Sequence, residues 1–380
     1  MKKLTYWLFF LVLITILVSC LDGHKTTNNG KNKTKKVALK DLKSGRDIIN
    51  AGSETQYTGS PGKLIVVTEN TVYTNEIKNL FDSIFAAPIR PFYPYTPYFE
   101  IHERTLNQFN SLSTKLRNII ELTIDNKVEK GKPIMHIFEN YYAKTQLYTK
   151  IQAHDITDLY QILQEEIGYL FKLYDRQEWK REFYRHRKYA NTEVREKIKT
   201  KFGIDLTLPD KYKYESIDNT YGIILFPERS KQMDLKTTGN SAVSRVNFIE
   251  SGVMIWEYPF KDSSQLIPEH LIQMRDSILK KYVKHEIPGV YMGTQYHPAV
   301  IPQYEKFKIG DVIGYQIRGL YKFTGKMEPS GGRFWEFQFK HPYRNTIVAL
   351  SGYVGAPPTV SPSLEINKIR AIIYSMKPVK

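Results

Sequence analysis

The sequence predicts an α+β protein with two domains, a mixed β/α N-terminal domain and a C-terminal antiparallel sheet packed with helices. Three observations favour this fold class. The chain has 380 residues, 41% hydrophobic and 25% charged, which is a globular composition that excludes wholesale disorder and a polytopic membrane protein. Strand and helix patterns alternate up to about residue 203. Beyond it, strand patterns dominate and two helices interrupt them.

The first domain is predicted at residues 61–203. A short apolar run at 64–68 predicts a buried strand, and apolar residues at helical spacing from Ile77 to Phe85 predict an amphipathic helix with Thr74 or Asn75 as N-cap. The following elements are predicted in order: a strand at 98–102, a helix at 105–115, a strand at 118–124, strand character at 143–153, and a long helical pattern capped by Asp155 that continues with breaks to Lys201.

The second domain is predicted at residues 204–380, after Gly203 ends the helical pattern. Its predicted strands lie at 204–209, 248–258, 290–296, 312–323, 334–339 and 346–354, and its predicted helices at 268–283 and 364–376. The order of strands, helix, four strands and helix indicates an antiparallel sheet with helices packed on it.

The N-terminus has the pattern of a secretory signal. Lys2 and Lys3 precede an apolar run at 7–18, which is too short to span a bilayer comfortably. The run ends at Leu17-Val18-Ser19-Cys20, which resembles the bacterial lipobox, in which the cysteine is diacylated and becomes the mature N-terminus. Because Cys20 is also the chain's only cysteine, residues 1–19 are predicted to be a signal peptide and Cys20 the lipidation site; the alternative is an ordinary signal peptide with a chance cysteine.

Residues 20–60 are predicted to be the lipidated cysteine followed by a flexible basic tether. Residues 21–50 contain eight Lys or Arg against three Asp, within a chain of net charge +16. These cations suit anionic lipid headgroups, although a hydrated spacer explains them equally well. The sequence after Cys20 lacks the acidic cluster that marks surface export in some lipoproteins. We therefore expect a cell-envelope protein anchored in the outer membrane and facing the periplasm.

Several segments of the chain resemble one uncharacterised bacterial lipoprotein family, catalogued as a domain of unknown function (family 4837). They are residues 62–67 (GKLIVV), 85–88 (FAAP), 202–209 (FGIDLTLP), 275–277 (RDS) and 319–321 (GLY). This resemblance implies a lipid anchor and carries no activity or catalytic residue. The C-terminal half is also similar, at the level of fold alone, to PsbP-like α/β/α sandwiches.

Motifs for catalysis are absent from the sequence. Two S-x-x-K matches, Ser60 with Lys63 and Ser277 with Lys280, lack the companion motifs of penicillin-binding enzymes. The nine histidines form no zinc-binding spacing, and no nucleotide-binding loop occurs. We predict no catalytic residue, no metal and no cofactor. Nucleic acid is not an expected partner in this compartment, and the sequence leaves the oligomeric state open.

One candidate site lies on the predicted long helix. At 100° per residue, Arg181, Arg185 and Lys188 share a face opposite Trp179 and Phe183. This pattern predicts an anion-binding face for headgroups, envelope polymers or an acidic protein; a solvated helix face is the alternative.

A second candidate is a proline-rich loop at 88–99. Its aromatic residues Phe92, Tyr93, Tyr95 and Tyr98 predict either a docking surface or a lid packed on the first domain. Together, these features favour a non-enzymatic binding or scaffolding module, with a partner that is an anionic envelope component or a protein. The alternative is a hydrolase or transferase acting on an envelope polymer or lipid, with a site assembled from dispersed residues.

Overall fold

Two large β-sheets and five α-helices account for most of the structure, a computed structural model that describes residues 43–234, 244–325, 330–358 and 360–380. These elements belong to one compact unit, Val37–Lys380. The predicted α+β fold class is confirmed, since the first sheet is mixed and the second is antiparallel with helices packed on it.

The first sheet contains six strands: β1 (Ile48–Asn50), β2 (Lys63–Val67), β3 (Glu100–Arg104), β4 (Asn118–Ile124), β5 (Ile134–Glu139) and β6 (Leu147–Ala153). Their spatial order is β1-β5-β6-β4-β2-β3, and only β5 and β6 pair in antiparallel fashion. Two helices, α1 (Asn75–Ile84) and α2 (Ile156–Lys188), bury the apolar side chains of one face. The side chain of Asp155 caps α2, as predicted, by accepting a hydrogen bond from the Asp158 N–H.

A short helix, α3 (Thr192–Phe202), follows and ends at Gly203, whose φ of 65° is a left-handed conformation that suits glycine. The rest of the chain forms β7 (Ile204–Asp205), β8 (Lys213–Ser216), β9 (Tyr221–Leu225), β10 (Arg229–Asp234), β11 (Ser244–Pro259), α4 (Pro268–Tyr282), β12 (Tyr291–Thr294), β13 (Gln303–Ile309), β14 (Val312–Thr324), β15 (Gly331–Lys340), β16 (Thr346–Gly355), α5 (Ser363–Tyr374) and β17 (Lys377–Pro378).

The second sheet has nine strands and follows the order β12-β14-β15-β16-β11-β9-β8. Strand β10 pairs with β11 and β13 with β14, while β7 and β17 form a separate small sheet. Helices α3 and α5 cover one face of the nine-stranded sheet and α4 covers the other. The arrangement is an α/β/α sandwich, and it leaves β8 at the end of the sheet.

Helices α2 and α5 join the two sheets. The Asp175 carboxylate on α2 accepts a hydrogen bond of 2.7 Å from Arg370 Nη1 on α5. The Trp179 ring packs edge-on against Tyr374, with centroids 5.0 Å apart. The predicted domain boundary near residues 201–205 stays a prediction, because contacts of this kind connect the two sheets within one compact unit.

One predicted element is wrong. Residues 105–115 form two separate 3₁₀ turns, Leu106–Gln108 and Ser113–Lys115, instead of a helix. The Asn110 side chain accepts hydrogen bonds from the N–H groups of Leu112 and Ser113, and this local bonding competes with helix formation. In addition, the sequence pattern does not predict strands β1, β5, β8, β9, β10, β13 and β17, and β1 lies in the segment that was predicted to be a flexible tether.

The carboxylate of Glu178 on α2 is the centre of a buried polar network. Glu178 is 2% exposed and accepts hydrogen bonds from the Gly62 N–H at 3.1 Å and from Arg117 Nε at 3.1 Å. It also accepts from Asn118 Nδ2 at 2.7 Å and from Arg181 Nη1 at 2.6 Å. The network therefore ties α2 to the amino ends of β2 and β4.

We expect Glu178→Gln to destabilise the protein by about 3–5 kcal/mol, since it leaves two buried guanidinium groups without their carboxylate. The matched control is Glu166→Gln on the same helix, where the partner Arg46 is exposed and the expected loss is below about 1 kcal/mol. Urea unfolding of both variants measures the difference. Equal losses would show that the Glu178 network does not stabilise the fold in the way its burial implies.

Candidate binding site

The predicted anion-binding face on α2 is wrong for Arg181. This side chain is 4% exposed and lies inside the protein, where it pairs with Glu178. Its remaining N–H groups donate to the Thr145 and Arg117 carbonyls and to Asn118 Oδ1. Four of the five guanidinium N–H donors are thus used inside the protein, and the burial of the side chain keeps an external anion from the fifth.

The other two residues of that face reach solvent, but only one of them has a carboxylate partner within the part of the chain that the structure describes. Arg185 Nη2 lies 2.7 Å from the Glu182 carboxylate, which neutralises it. Lys188 is exposed, and its Nζ lies 5.1 Å from the centre of the Tyr189 ring. The three predicted residues therefore do not form one exposed cationic face. The cause is that α2 is buried on two sides: Trp179 packs on α5, while Arg181 faces the first sheet.

Of the four aromatic residues in the predicted loop, two pack against the rest of the protein and two are exposed. Phe92 is buried in the core of the second sheet, 6.3 Å from Trp335 between ring centroids. The Tyr98 hydroxyl accepts a hydrogen bond of 3.0 Å from Arg318. Tyr93 and Tyr95 are exposed. The loop therefore packs as a lid through Phe92 and Tyr98. It covers part of the second sheet, whereas the sequence predicted a lid on the first domain.

In the second S-x-x-K match, the Ser277 and Lys280 side chains make separate structural contacts. The Ser277 Oγ donates to the Gln273 carbonyl at 3.0 Å within α4, and Lys280 Nζ lies 5.4 Å from the Tyr291 ring centre. Neither contact joins the serine to the lysine, so the geometry does not activate Ser277 as a nucleophile.

Within the described ranges, no group of three or more His, Cys, Asp or Glu side chains is arranged to hold a metal ion. A search of the same residues finds no helix with the length and apolar character needed to cross a membrane. The predicted lipidation site, Cys20, lies outside the described residues.

An open groove of about 720 Å³ runs between α3 and β8. The inward residues of α3, Val194, Ile198 and Phe202, pack in the core, so the opposite side of the helix is free to form one wall. The lining residues are Glu193, Glu196, Lys197, Thr200 and Lys201 of α3, Tyr214 and Ser216 of β8, and Asn219 beyond it.

Strand β8 is the last strand of the sheet, and no other strand of the described chain pairs with its outer edge. The Ile217 N–H donates to the Tyr221 carbonyl, so the backbone groups of Ile217 point towards β9. Because backbone groups alternate between the two sides of a strand, those of Tyr214 and Ser216 point outwards. At the other end, Asn191 Nδ2 donates to the Tyr212 carbonyl at 3.4 Å. The free length of the edge is therefore short and begins after Tyr212.

Lys201, at the C-terminal end of α3, links this helix to β8 and β9 across one end of the groove. Its Nζ donates to Ser216 Oγ and to the Tyr221 carbonyl, both at 2.7 Å. Partial burial lowers the pKa of the Lys201 ammonium. No carboxylate of the described chain lies within ion-pair distance of it, although an ammonium group has three donors and only two are used. The groove thus offers an unpaired strand edge together with one available cationic donor.

The sequence did not indicate this groove, since β8 is not predicted and only the tertiary fold places α3 beside it. The one available signal was the pattern of α3, where Glu193, Lys197 and Thr200 repeat at helical spacing on the side opposite Val194 and Ile198.

Comparison with protein families confirms the predicted resemblance. Residues 191–375 match the domain of unknown function DUF4837, and residues 58–186 match a second one, DUF8532. The DUF4837 match therefore covers α3 and the second sheet, whereas strands β2 to β6 of the first sheet lie within the DUF8532 match. The segments at 62–67 and 85–88, which were expected to belong to the first of these families, lie within the second match. No curated protein matches the chain.

Among solved structures, the chain is similar to the Ran-binding protein Mog1p of Saccharomyces cerevisiae, with 8% identity, 47% of this chain and 91% of that chain covered, and a TM-score of 0.30. A structure from Bacteroides thetaiotaomicron matches with 9% identity, 47% and 46% coverage, and a TM-score of 0.24. At these values no activity or partner is transferred. The chain therefore matches two models of unknown function in succession, DUF8532 over residues 58–186 and DUF4837 over residues 191–375.

Proposed function

We propose that this protein is a lipid-anchored binding module of the cell envelope, held in the outer membrane by Cys20 and facing the periplasm, that captures an extended polypeptide segment of a partner protein. The observation that supports the binding role is the unpaired edge of β8 beside the open groove along α3. The lipobox at residues 17–20 supports the anchor.

An extended peptide can extend the nine-stranded sheet at β8. The outward N–H and C=O groups of Tyr214 and Ser216 would pair with the peptide backbone, and alternate peptide side chains would enter the groove towards α3. The free donor of Lys201 suits a carboxylate, so the bound segment carries an acidic residue or ends in the groove. Backbone pairing provides affinity and the groove provides selectivity.

The lipid anchor predicts a change in localisation. In Cys20→Ser, we expect no incorporation of labelled palmitate and release of the protein from the membrane fraction, because the acceptor thiol is gone. Ser19→Ala is the matched control, since it keeps a small residue before the cysteine and should remain acylated. Labelling of the Cys20→Ser variant would contradict the anchor.

The groove predicts a specific sensitivity to proline. A photocrosslinking amino acid at Thr200, in the groove wall, should capture a partner in intact cells. Adding Ser216→Pro should lower that yield about tenfold, because it removes an outward N–H and blocks strand addition. Ser216→Ala keeps the N–H and should change the yield by less than about threefold.

Two controls make this test decisive. The first control is a probe at Lys127, an exposed residue between β4 and β5. Any crosslinking from this position should be the same in the Ser216→Pro and Ser216→Ala variants. Thermal unfolding should be similar for both Ser216 variants, since proline is tolerated on an edge strand where the N–H faces outwards. Equal crosslinking by the proline and alanine variants would rule out strand addition at β8, whatever protein is captured.

A further inference from the structure

The last turns of α2 carry a cationic and aromatic patch, defined by Lys180, Tyr184, Arg187, Lys188 and Tyr189. Positions 180, 184, 187 and 188 lie on one side of the helix, three and four residues apart. Tyr184 is 41% and Tyr189 50% exposed, so both rings reach the surface. Arg187 and Lys188 are exposed, and Lys180 is half-buried.

The cations of this patch are not neutralised. Among the described residues, no carboxylate lies within ion-pair distance of Lys180, Arg187 or Lys188. In place of acids, Lys180 Nζ lies 5.5 Å from the Tyr184 ring centre and Lys188 Nζ 5.1 Å from that of Tyr189. Each ring therefore carries a cation beside it, and both are available to an external surface.

The helix dipole alone does not explain the patch. Cations in the last turn of a helix are favourable by about 0.3–1 kcal/mol, which accounts for Arg187 and Lys188. It does not account for Lys180, which lies two turns earlier, or for two exposed tyrosine rings. Tyrosines at headgroup depth with flanking Lys and Arg are typical of a surface that contacts a membrane interface.

The N-terminal end of the described chain leaves from the same helix. Arg46 Nε donates to the Glu166 carboxylate at 2.8 Å, and the Tyr169 hydroxyl donates to the Arg46 carbonyl at 3.2 Å. Along α2, Tyr169 and Tyr184 are about 22 Å apart. Residues 21–42 can span at most about 75 Å, so a bilayer that holds Cys20 lies within reach of the patch.

We infer that the patch of Lys180, Tyr184, Arg187, Lys188 and Tyr189 rests on the anionic phospholipid surface of the membrane that anchors the protein. This inference rests on the proposed lipid anchor and adds a second contact to it. The cations face lipid phosphates and the tyrosine rings lie at the headgroup level. Each contact is weak alone, but the anchor keeps the patch close to the bilayer and raises its effective concentration.

The test uses the full-length lipidated protein in vesicles. Since Cys20 is the only cysteine and would be acylated, Tyr184→Cys provides one reactive thiol for an environment-sensitive fluorophore. Tyr343→Cys is the matched control, at a tyrosine that is 54% exposed and lies in the connection between β15 and β16. Vesicles contain brominated phosphatidylcholine, with or without about 30 mol% phosphatidylglycerol, because headgroup charge is the variable under test.

We expect brominated lipid to quench the label at 184 at least about threefold more than the label at 343, only with phosphatidylglycerol and only at low salt. Combined charge reversal, Lys180→Glu, Arg187→Glu and Lys188→Glu, should abolish that difference while the protein stays on the vesicles. Equal quenching at 184 and 343, or quenching that survives charge reversal, would overturn the membrane contact. Loss of the protein from all vesicles would instead contradict the lipid anchor, so the two proposals fail separately.

Discussion

The buried carboxylate of Glu178 is the constraint on which the packing of α2 against the first sheet depends. Two of its hydrogen-bond donors are Gly62, directly before β2, and Arg181, on its own helix. The other two are Arg117, directly before β4, and Asn118, the first residue of β4. Gly62 must approach this carboxylate with a φ of +71°, and a Cβ there would lie 3.1 Å from Ser363 Oγ on α5. Glycine at this position therefore suits both the left-handed backbone and the close approach of α5.

A second layer of contacts extends from α2 to the other sheet. The Trp335 ring of β15 has the Arg318 and Arg370 guanidinium carbons 5.3 and 5.0 Å from its centre. Arg370 in turn pairs with Asp175 of α2, and Phe92 of the aromatic loop packs on the same tryptophan. These contacts link α2, α5, β15 and the aromatic loop. The position of α2 is therefore coupled to the position of the loop that carries the exposed tyrosines.

Most of the regular structure was predictable, since it follows from local periodicity. The predicted elements at 118–124, 268–283 and 364–376 lie within two residues of β4, α4 and α5. Strand β8 was not, because Lys213-Tyr214-Glu215-Ser216 has no apolar alternation and is a strand only through its pairing with β9. The groove depends on that strand, so it is a product of tertiary structure. The predicted face of α2 was wrong for a similar reason, since periodicity alone does not show that a helix is buried on two sides.

The charges of α2 nevertheless follow a rule that the sequence contains. Arg181 and Arg185 each have a glutamate three residues earlier, Glu178 and Glu182, and each is paired with it. Lys180, Arg187 and Lys188 have Gln177, Tyr184 and Arg185 at that position, and no carboxylate of the described chain pairs with them. The i, i+3 neighbour therefore separates the cations that pair with a glutamate from the cations that have no carboxylate partner among the described residues. For this reason, the proposed anionic contact involves the patch at the end of the helix, where tyrosine rings accompany the unpaired cations, and not the predicted face.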